Sequence, residues 1–118
     1  VQGGVDIDTY TGAACQQWQL RSEGAHSYQL ANYGGTLGTT ACAATRGAAV
    51  GVGRHSGDCA DWYLDPVGDG SFRISHRPTG LAVDVGGCSG APGTGVDVWR
   101  YWSSSRGTCQ QWQLTPVR

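Results

Sequence analysis

The chain contains no lysine; all eight of its basic residues are arginines. Charged residues make up only 14% of it, and nine acidic groups leave a net charge of −1. There is thus no basic patch to hold nucleic acid and no acidic run to mark a disordered tail. Apolar runs are short, and none approaches the roughly 20 residues that a membrane-crossing helix requires. The first residues lack a leader pattern, so an exported protein of this sequence would already have lost its leader. Helix signals are nearly missing as well. No window keeps apolar residues at i, i+3, i+4 and i+7, and Gly, Thr and Ser are spread throughout.

The chain has 118 residues, 20 glycines and a 39% hydrophobic share, which describes one turn-rich globular domain over residues 1–118. Five cysteines in so short a chain favour an oxidising, extracellular setting. The strongest signal is a repeat. Cys15-Gln16-Gln17-Trp18-Gln19-Leu20 recurs as Cys59-Ala60-Asp61-Trp62-Tyr63-Leu64 and again as Cys109-Gln110-Gln111-Trp112-Gln113-Leu114. The tryptophans are 44 and 50 residues apart. Such a period marks one supersecondary unit repeated until its hydrophobic faces cover each other.

The cysteines follow the repeat. Cys42 precedes Cys59 by 17 residues and Cys88 precedes Cys109 by 21. Each complete repeat thus holds one early and one late cysteine, and the pairs Cys42–Cys59 and Cys88–Cys109 are expected. Closing each loop contributes about 3 kcal/mol in the chain-entropy model. Cys15 holds the late position of its repeat, so its partner is expected upstream of the chain; a free thiol is the alternative. Overlaying Gly95-Val96-Asp97-Val98 on Gly4-Val5-Asp6-Ile7 starts the first repeat midway. The expected divisions are a partial repeat at about 1–20, then 21–64 and 65–118, in an excerpt or processed form of a longer protein.

Strand signals are short and regular. In the third repeat Ser71–Ser75, Leu81–Val85, Val96–Tyr101 and Gln110–Leu114 alternate between turns such as Gly68-Asp69-Gly70 and Arg77-Pro78-Thr79-Gly80. Ser27–Ala31, Leu37–Ala41, Ala49–Val52 and Trp62–Leu64 follow the same plan in the second. Three copies of a four-stranded unit favour closure into a threefold barrel over a sheet with open edges. Trp18, Trp62 and Trp112 offer sugar-stacking faces, but their fixed strand position, with Leu20, Leu64 and Leu114 two places on, reads as structural core. Burying one such indole removes roughly 150–250 Å² from water, at most about 4–6 kcal/mol.

The repeated Gln-x-Trp of Gln16-Gln17-Trp18 and Gln110-Gln111-Trp112, degenerate as Ala60-Asp61-Trp62, resembles the signature of ricin B-type lectin domains, known in enzymes as family 13 carbohydrate-binding modules. The third repeat carries the resemblance best, through Gly80-Leu81-Ala82-Val83-Asp84-Val85 and Val96-Asp97-Val98-Trp99. It implies an all-β fold, a β-trefoil of three pseudo-repeats with the first truncated at its N-terminal side, and one shallow sugar site per repeat. Cys109 stands where many members carry a sugar-bonding asparagine.

A sugar hydroxyl is donor and acceptor at once, so a site needs a carboxylate, an amide and an aromatic face for the C–H side of the ring. The resemblance maps these to Asp84, Gln110 and Trp99, with Asp97 and Tyr101 flanking on the alternation of Trp99. Taken singly, Asp84 also reads as a turn carboxylate and Trp99 as a second-layer core residue. Trp102 is expected in a loop. The second repeat has Gly53 at the aromatic position, Ala60 at the glutamine position and Thr40 near the carboxylate position, and its site is expected to be lost. The first keeps Gln16, has Asp8 and Tyr10 where the third has Trp99 and Tyr101, and is expected to hold a weaker second site.

Nothing in the chain reads as catalytic machinery: no nucleophile motif surrounds its serines. His26, His55 and His76 lack metal-ligand spacing, and neither Asp6-x-Asp8 nor the Asp65–Gly70 segment fits a calcium loop. No cofactor or metal is expected. The expected function is a secreted, monomeric, non-catalytic module that targets a covalently linked upstream hydrolase, such as a glycoside hydrolase, to galactan, arabinan, xylan or mannan. The expected partner is an oligo- or polysaccharide, with no nucleic acid and no membrane. The alternative is a protein-binding trefoil such as a protease inhibitor, or a free-standing lectin subunit.

Overall fold

The computed structural model describes residues 3–5, 7, 11–24, 27–39, 42, 45–53, 55, 57–68, 70–102 and 109–116. They form ten strands: β1 (Gly3–Gly4), β2 (Gln19–Ser22), β3 (Ser27–Asn32), β4 (Gly35–Thr39), β5 (Val50–Gly53), β6 (Trp62–Gly68), β7 (Ser71–His76), β8 (Ala82–Val85), β9 (Val96–Trp99) and β10 (Trp112–Gln113). Short 3-10 turns occur at Ala14–Gln16, Gly57–Ala60 and Gly86–Cys88. Among the described residues no helix is long and apolar enough to cross a membrane.

Four strands each in the second and third repeats match the sequence plan. The third strand of the third repeat ends at Trp99 rather than Tyr101, and the fourth shrinks to Trp112–Gln113. In the other direction, β6 runs past Leu64 through Pro66 to Gly68, with a register shift between Pro66 and Gly68 against β7. A bulge of this kind is where a sheet accepts proline, which brings no N–H to the ladder.

The barrel follows from who pairs with whom. β2 pairs β3, β3 pairs β6, β6 pairs β7 and β7 pairs β10, all antiparallel. The hairpins β4–β5 and β8–β9 cap one end. At the centre of the cap the third strands of all three repeats meet. The Val5 N–H donates to the Val50 carbonyl at 3.2 Å and the Val96 N–H to the Val5 carbonyl at 2.9 Å. A bridge between Ala49 and Asp97 closes the third side. The core beneath joins Leu30, Leu37, Val50, Val52, Trp62, Leu64, Ile74, Val83, Val96 and Val98.

Both expected disulfides form, Cys42–Cys59 and Cys88–Cys109. Each staples one repeat, and each early cysteine takes a left-handed backbone, with φ of 57° at Cys42 and 54° at Cys88. Cys15 is a free, exposed thiol.

The expectation of a shared tryptophan core holds in two lobes: Trp62 is fully buried and the half-buried Trp112 packs against the core, whereas Trp18 is 36% exposed. Leu64 is buried whereas Leu20 and Leu114 are exposed. Burial tracks strand pairing. Trp62 sits between Tyr28 on β3 and His76 on β7. Among the described residues Trp112 faces Phe72 on one side only, and β2 pairs only β3.

The buried His76 ring tilts against Trp62 with centroids 4.8 Å apart. Its Nε2 lies 3.1 Å from the Cys59 carbonyl and its Nδ1 3.2 Å from the Thr79 hydroxyl. Burial lowers its pKa, partly opposed by the Cys59 bond, so Nε2 carries the proton of a neutral ring. One repeat earlier, Asn32 does the same job, its Nδ2 donating to the Cys15 carbonyl at 3.2 Å.

Candidate functional site

The β8–β9 register sets Asp84 directly opposite Asp97. Cross-strand partners share a face and their Cβ atoms approach to roughly 4.5–5.5 Å, so the carboxyl groups meet. Trp99, two residues past Asp97, projects on the same side. Asp84 is buried, Asp97 half-buried and Trp99 36% exposed. The result is a recessed acid pair beside an open indole. Gly47, with φ of +84°, walls the indole: a Cβ there would stand 3.4 Å from the Trp99 ring. Its N–H donates to the Val98 carbonyl at 2.7 Å, which fixes that close approach.

Two carboxyls so placed cannot both ionise cheaply. Burial, then the hydrogen bond and charge of Asp84, push Asp97 up to about 7. Burial raises Asp84 too, but bonds from Asp97 and Gln110 draw it back. Both shifts favour one proton shared by the two carboxyls over a doubly ionised pair. One oxygen on each, Oδ1, is buried without a hydrogen-bond partner.

Gln110 does not face solvent; it is 1% exposed. Its Oε1 accepts the Trp102 N–H at 2.8 Å and its Nε2 donates to the Arg100 carbonyl at 3.0 Å. These two bonds fix the loop after β9, and the Gln110 amide lies close enough to Asp84 to draw its pKa down. Gln16 repeats the clasp, its Oε1 accepting the Thr11 N–H at 2.8 Å. Tyr101 is half-buried and engaged elsewhere, with the Arg73 guanidinium 4.8 Å above its ring. Arg73 is itself bridged to Asp65 at 3.3 Å. Neither Gly47 nor Arg73 was singled out from the sequence; each lies on a neighbouring segment, where no spacing within the motif points to it.

The second repeat has no equivalent group. The β4–β5 register puts Gly38 opposite Gly51, with Gly53 two places on and buried Ala60 in place of Gln110. Gly38, rather than Thr40, thus takes the carboxylate position; Thr40 lies outside the described residues. A Cβ at Gly38 would come within 2.5 Å of the His55 ring, so imidazole occupies the space a carboxylate needs. In the first repeat Asp8 and Tyr10 lie outside the described residues, and Gln16 is half-buried.

Residues 14–99 match the family model described as ricin-type β-trefoil lectin domain-like, and the chain belongs to that family. No curated protein sequence matches it. Among solved structures it is similar to the designed threefold-symmetric protein ThreeFoil, with a TM-score of 0.89 and 31% identity over 97% of this chain and 81% of that one. It is also similar to 1,3Gal43A, an exo-β-1,3-galactanase from Clostridium thermocellum, with a TM-score of 0.80 and 28% identity over 92% of this chain and 24% of the enzyme. A third is the Polyporus squamosus lectin bound to the epitope Neu5Acα2-6Galβ1-4GlcNAc, with a TM-score of 0.67, 27% identity and 81% of this chain against 34% of the lectin. The fold is a β-trefoil of the lectin type, a kind of domain that binds carbohydrate and is generally non-catalytic. Its two disulfides are consistent with an extracellular location.

Proposed function

We propose that the chain is a non-catalytic carbohydrate-binding module whose working site is the third repeat, and that it directs a linked secreted hydrolase to a polysaccharide. The observation that carries this is the recessed Asp84–Asp97 pair beside the open face of Trp99. The indole takes the C–H face of a pyranose, and the acid pair beside it offers carboxyl groups to the ring hydroxyls. Gln110 positions the pair and the loop instead of touching sugar, and Tyr101 flanks from its stack with Arg73. Asp8, Tyr10 and Gln16 form the weaker second site. A galactan is favoured among galactan, arabinan, xylan and mannan by the likeness to a galactanase, which the chain matches over a quarter of its length.

One shallow site binds at millimolar to micromolar strength, about −4 to −8 kcal/mol. Such affinity is useful when tethering raises the local concentration of a catalytic partner. The test is a pull-down on insoluble galactan, arabinan, xylan and mannan, with and without Trp99→Ala. Retention that disappears in the variant supports the reading. Indifference to Trp99, or no retention at all, favours the protein-binding trefoil.

A further inference from the structure

The strand that carries Trp99 is flanked by a turn from the preceding repeat. Thr45, Arg46, Gly47 and Ala48 form it, closed by the Ala48 N–H on the Thr45 carbonyl at 3.1 Å. Gly47 takes a positive φ and Arg46 does not, which is the pattern of a type II turn with Arg46 at its first central position. Two main-chain bonds latch the turn to β9. The Gly47 N–H donates to the Val98 carbonyl, and the Val98 N–H donates to the Ala48 carbonyl at 3.1 Å. The same device recurs one lobe on. Residues 91–94 close at 3.2 Å, Gly93 has φ of 86°, and the Gly93 N–H donates to the Ile7 carbonyl at 2.6 Å. The Ile7 N–H returns a bond to Thr94 at 2.9 Å, and Ile7 stands where the third repeat has Val98. A turn of one repeat against the third strand of another is thus built into the fold. The difference lies at the first central position, which is Pro92 in one turn and Arg46 in the other. Proline suits that position, so the turn itself does not call for arginine.

Arg46 is exposed. Arg73 and Arg77 are bridged to Asp65 and Asp61, and Arg21 bonds Gln19. Among the described residues the Arg46 guanidinium has no such partner. Its Cα lies about 3.8 Å from that of Gly47, and Gly47 is the residue that meets the Trp99 ring. A charged fork is therefore tethered at the edge of the indole, one residue from direct ring contact. Arg100, also exposed, follows Trp99 directly, and successive residues of an extended chain face opposite ways. We infer that Arg46 is a specificity-determining residue of the third-repeat site and selects a sugar unit that carries a carboxylate, a hexuronate. The inference rests on the sugar-binding reading of that site. A hexuronate brings ring hydroxyls for Asp84 and Asp97, a C–H face for Trp99 and a planar carboxylate on C5. A guanidinium matches that carboxylate with two parallel N–H bonds, whereas the hydroxymethyl group of a neutral hexose offers no such pair of acceptors. The second repeat, which holds no acid pair of its own, so acts through its neighbour.

The probes are methyl β-galactopyranoside and its uronate, which differ only in the group on C5. Titrations of the whole chain followed by amide NMR shifts give both affinities. The uronate should bind about threefold more tightly, the gain of one exposed but hydrogen-bonded ion pair. Arg46→Gln should bring the uronate down to the level of the galactoside, and Arg46→Lys, a point charge without the fork, should keep part of the preference. Added salt should shrink it. Since Arg46 is an exposed turn residue at a position that also takes proline, these variants should keep the wild-type amide spectrum away from the site. Equal affinity of the unaltered chain for the two glycosides would overturn the inference. So would a preference that survives Arg46→Gln, or one that vanishes in Arg100→Gln instead. A 6-sulfated galactoside that gains as much as the uronate would overturn the choice of a carboxylate. Binding of neither glycoside would also end the inference. Retention on polysaccharide with and without Trp99→Ala then judges the sugar-binding reading by itself, so the two fail separately.

Discussion

Replacing each tryptophan of the repeated hexapeptide by phenylalanine, one at a time, separates the three lobes by a single bond. The Trp62 indole N–H donates to the Leu37 carbonyl at 3.0 Å inside a site with no exposure. Phenylalanine strands that carbonyl, at about 1–3 kcal/mol, and leaves a small void besides, for roughly 2–4 kcal/mol in all. The Trp112 indole makes the matching bond to Val83 at 3.1 Å, but it is half-buried and water can reach the orphaned carbonyl. About 1 kcal/mol is expected there. Trp18 donates to no carbonyl among the described residues and is 36% exposed, so its replacement should cost within about 0.5 kcal/mol. Urea unfolding followed by far-ultraviolet circular dichroism gives the three values, with unchanged m-values certifying the same transition. If Trp18→Phe costs as much as Trp62→Phe, the link drawn between flanking strands and indole burial is wrong.

Saccharide affinity should be level in mild acid and fall as pH rises through about 7, where Asp97 loses the proton it shares with Asp84. Calorimetry across that range on Asp97→Asn, whose amide donates at every pH, should give a flat profile. The same proton acts on folding. A carboxyl raised in the native state favours folding fully below its unfolded value near 3.8, and that contribution is lost as pH climbs through about 7, so the Tm gap favouring Asp97→Asn should widen over that window. His76 acts oppositely: lowered by burial, it supports folding above its ordinary value near 6.5 and withdraws that support as pH falls through its native value. His76→Asn, the residue used at the matching Asn32, should melt with a shallower loss on acidification. Gln110→Ala should cost about 1–3 kcal/mol in urea unfolding through its unmade backbone bonds, and weaken sugar retention in the same variant.

The strands, the lobes and two disulfides were legible in the sequence because each follows from local alternation or from cysteine spacing. So was the pairing of Asp84 and Trp99, since one hairpin carries both. Trp18 and Leu20 were misjudged as core for a definite reason. A repeated motif reports which way a side chain points within its own strand, whereas burial depends on the strand laid against it. Gln110 illustrates the same limit. Its glutamine character marked a polar contact, but only the fold shows both ends of the amide taken up by Arg100 and Trp102. Gly53 and Ala60 were visible in the second lobe's sequence, yet the closeness of the His55 ring to Gly38 required the third dimension.

The hub formed by Val5, Val50 and Val96 is made of main-chain bonds. Peptide groups are common to every residue, so the junction survives whatever happens to the side chains around it. One lobe can therefore lose its ligand and fill the hollow with imidazole while its neighbour refines an indole and two acids, and the framework registers neither event. Diversification in such a molecule is uncoupled from folding, lobe by lobe.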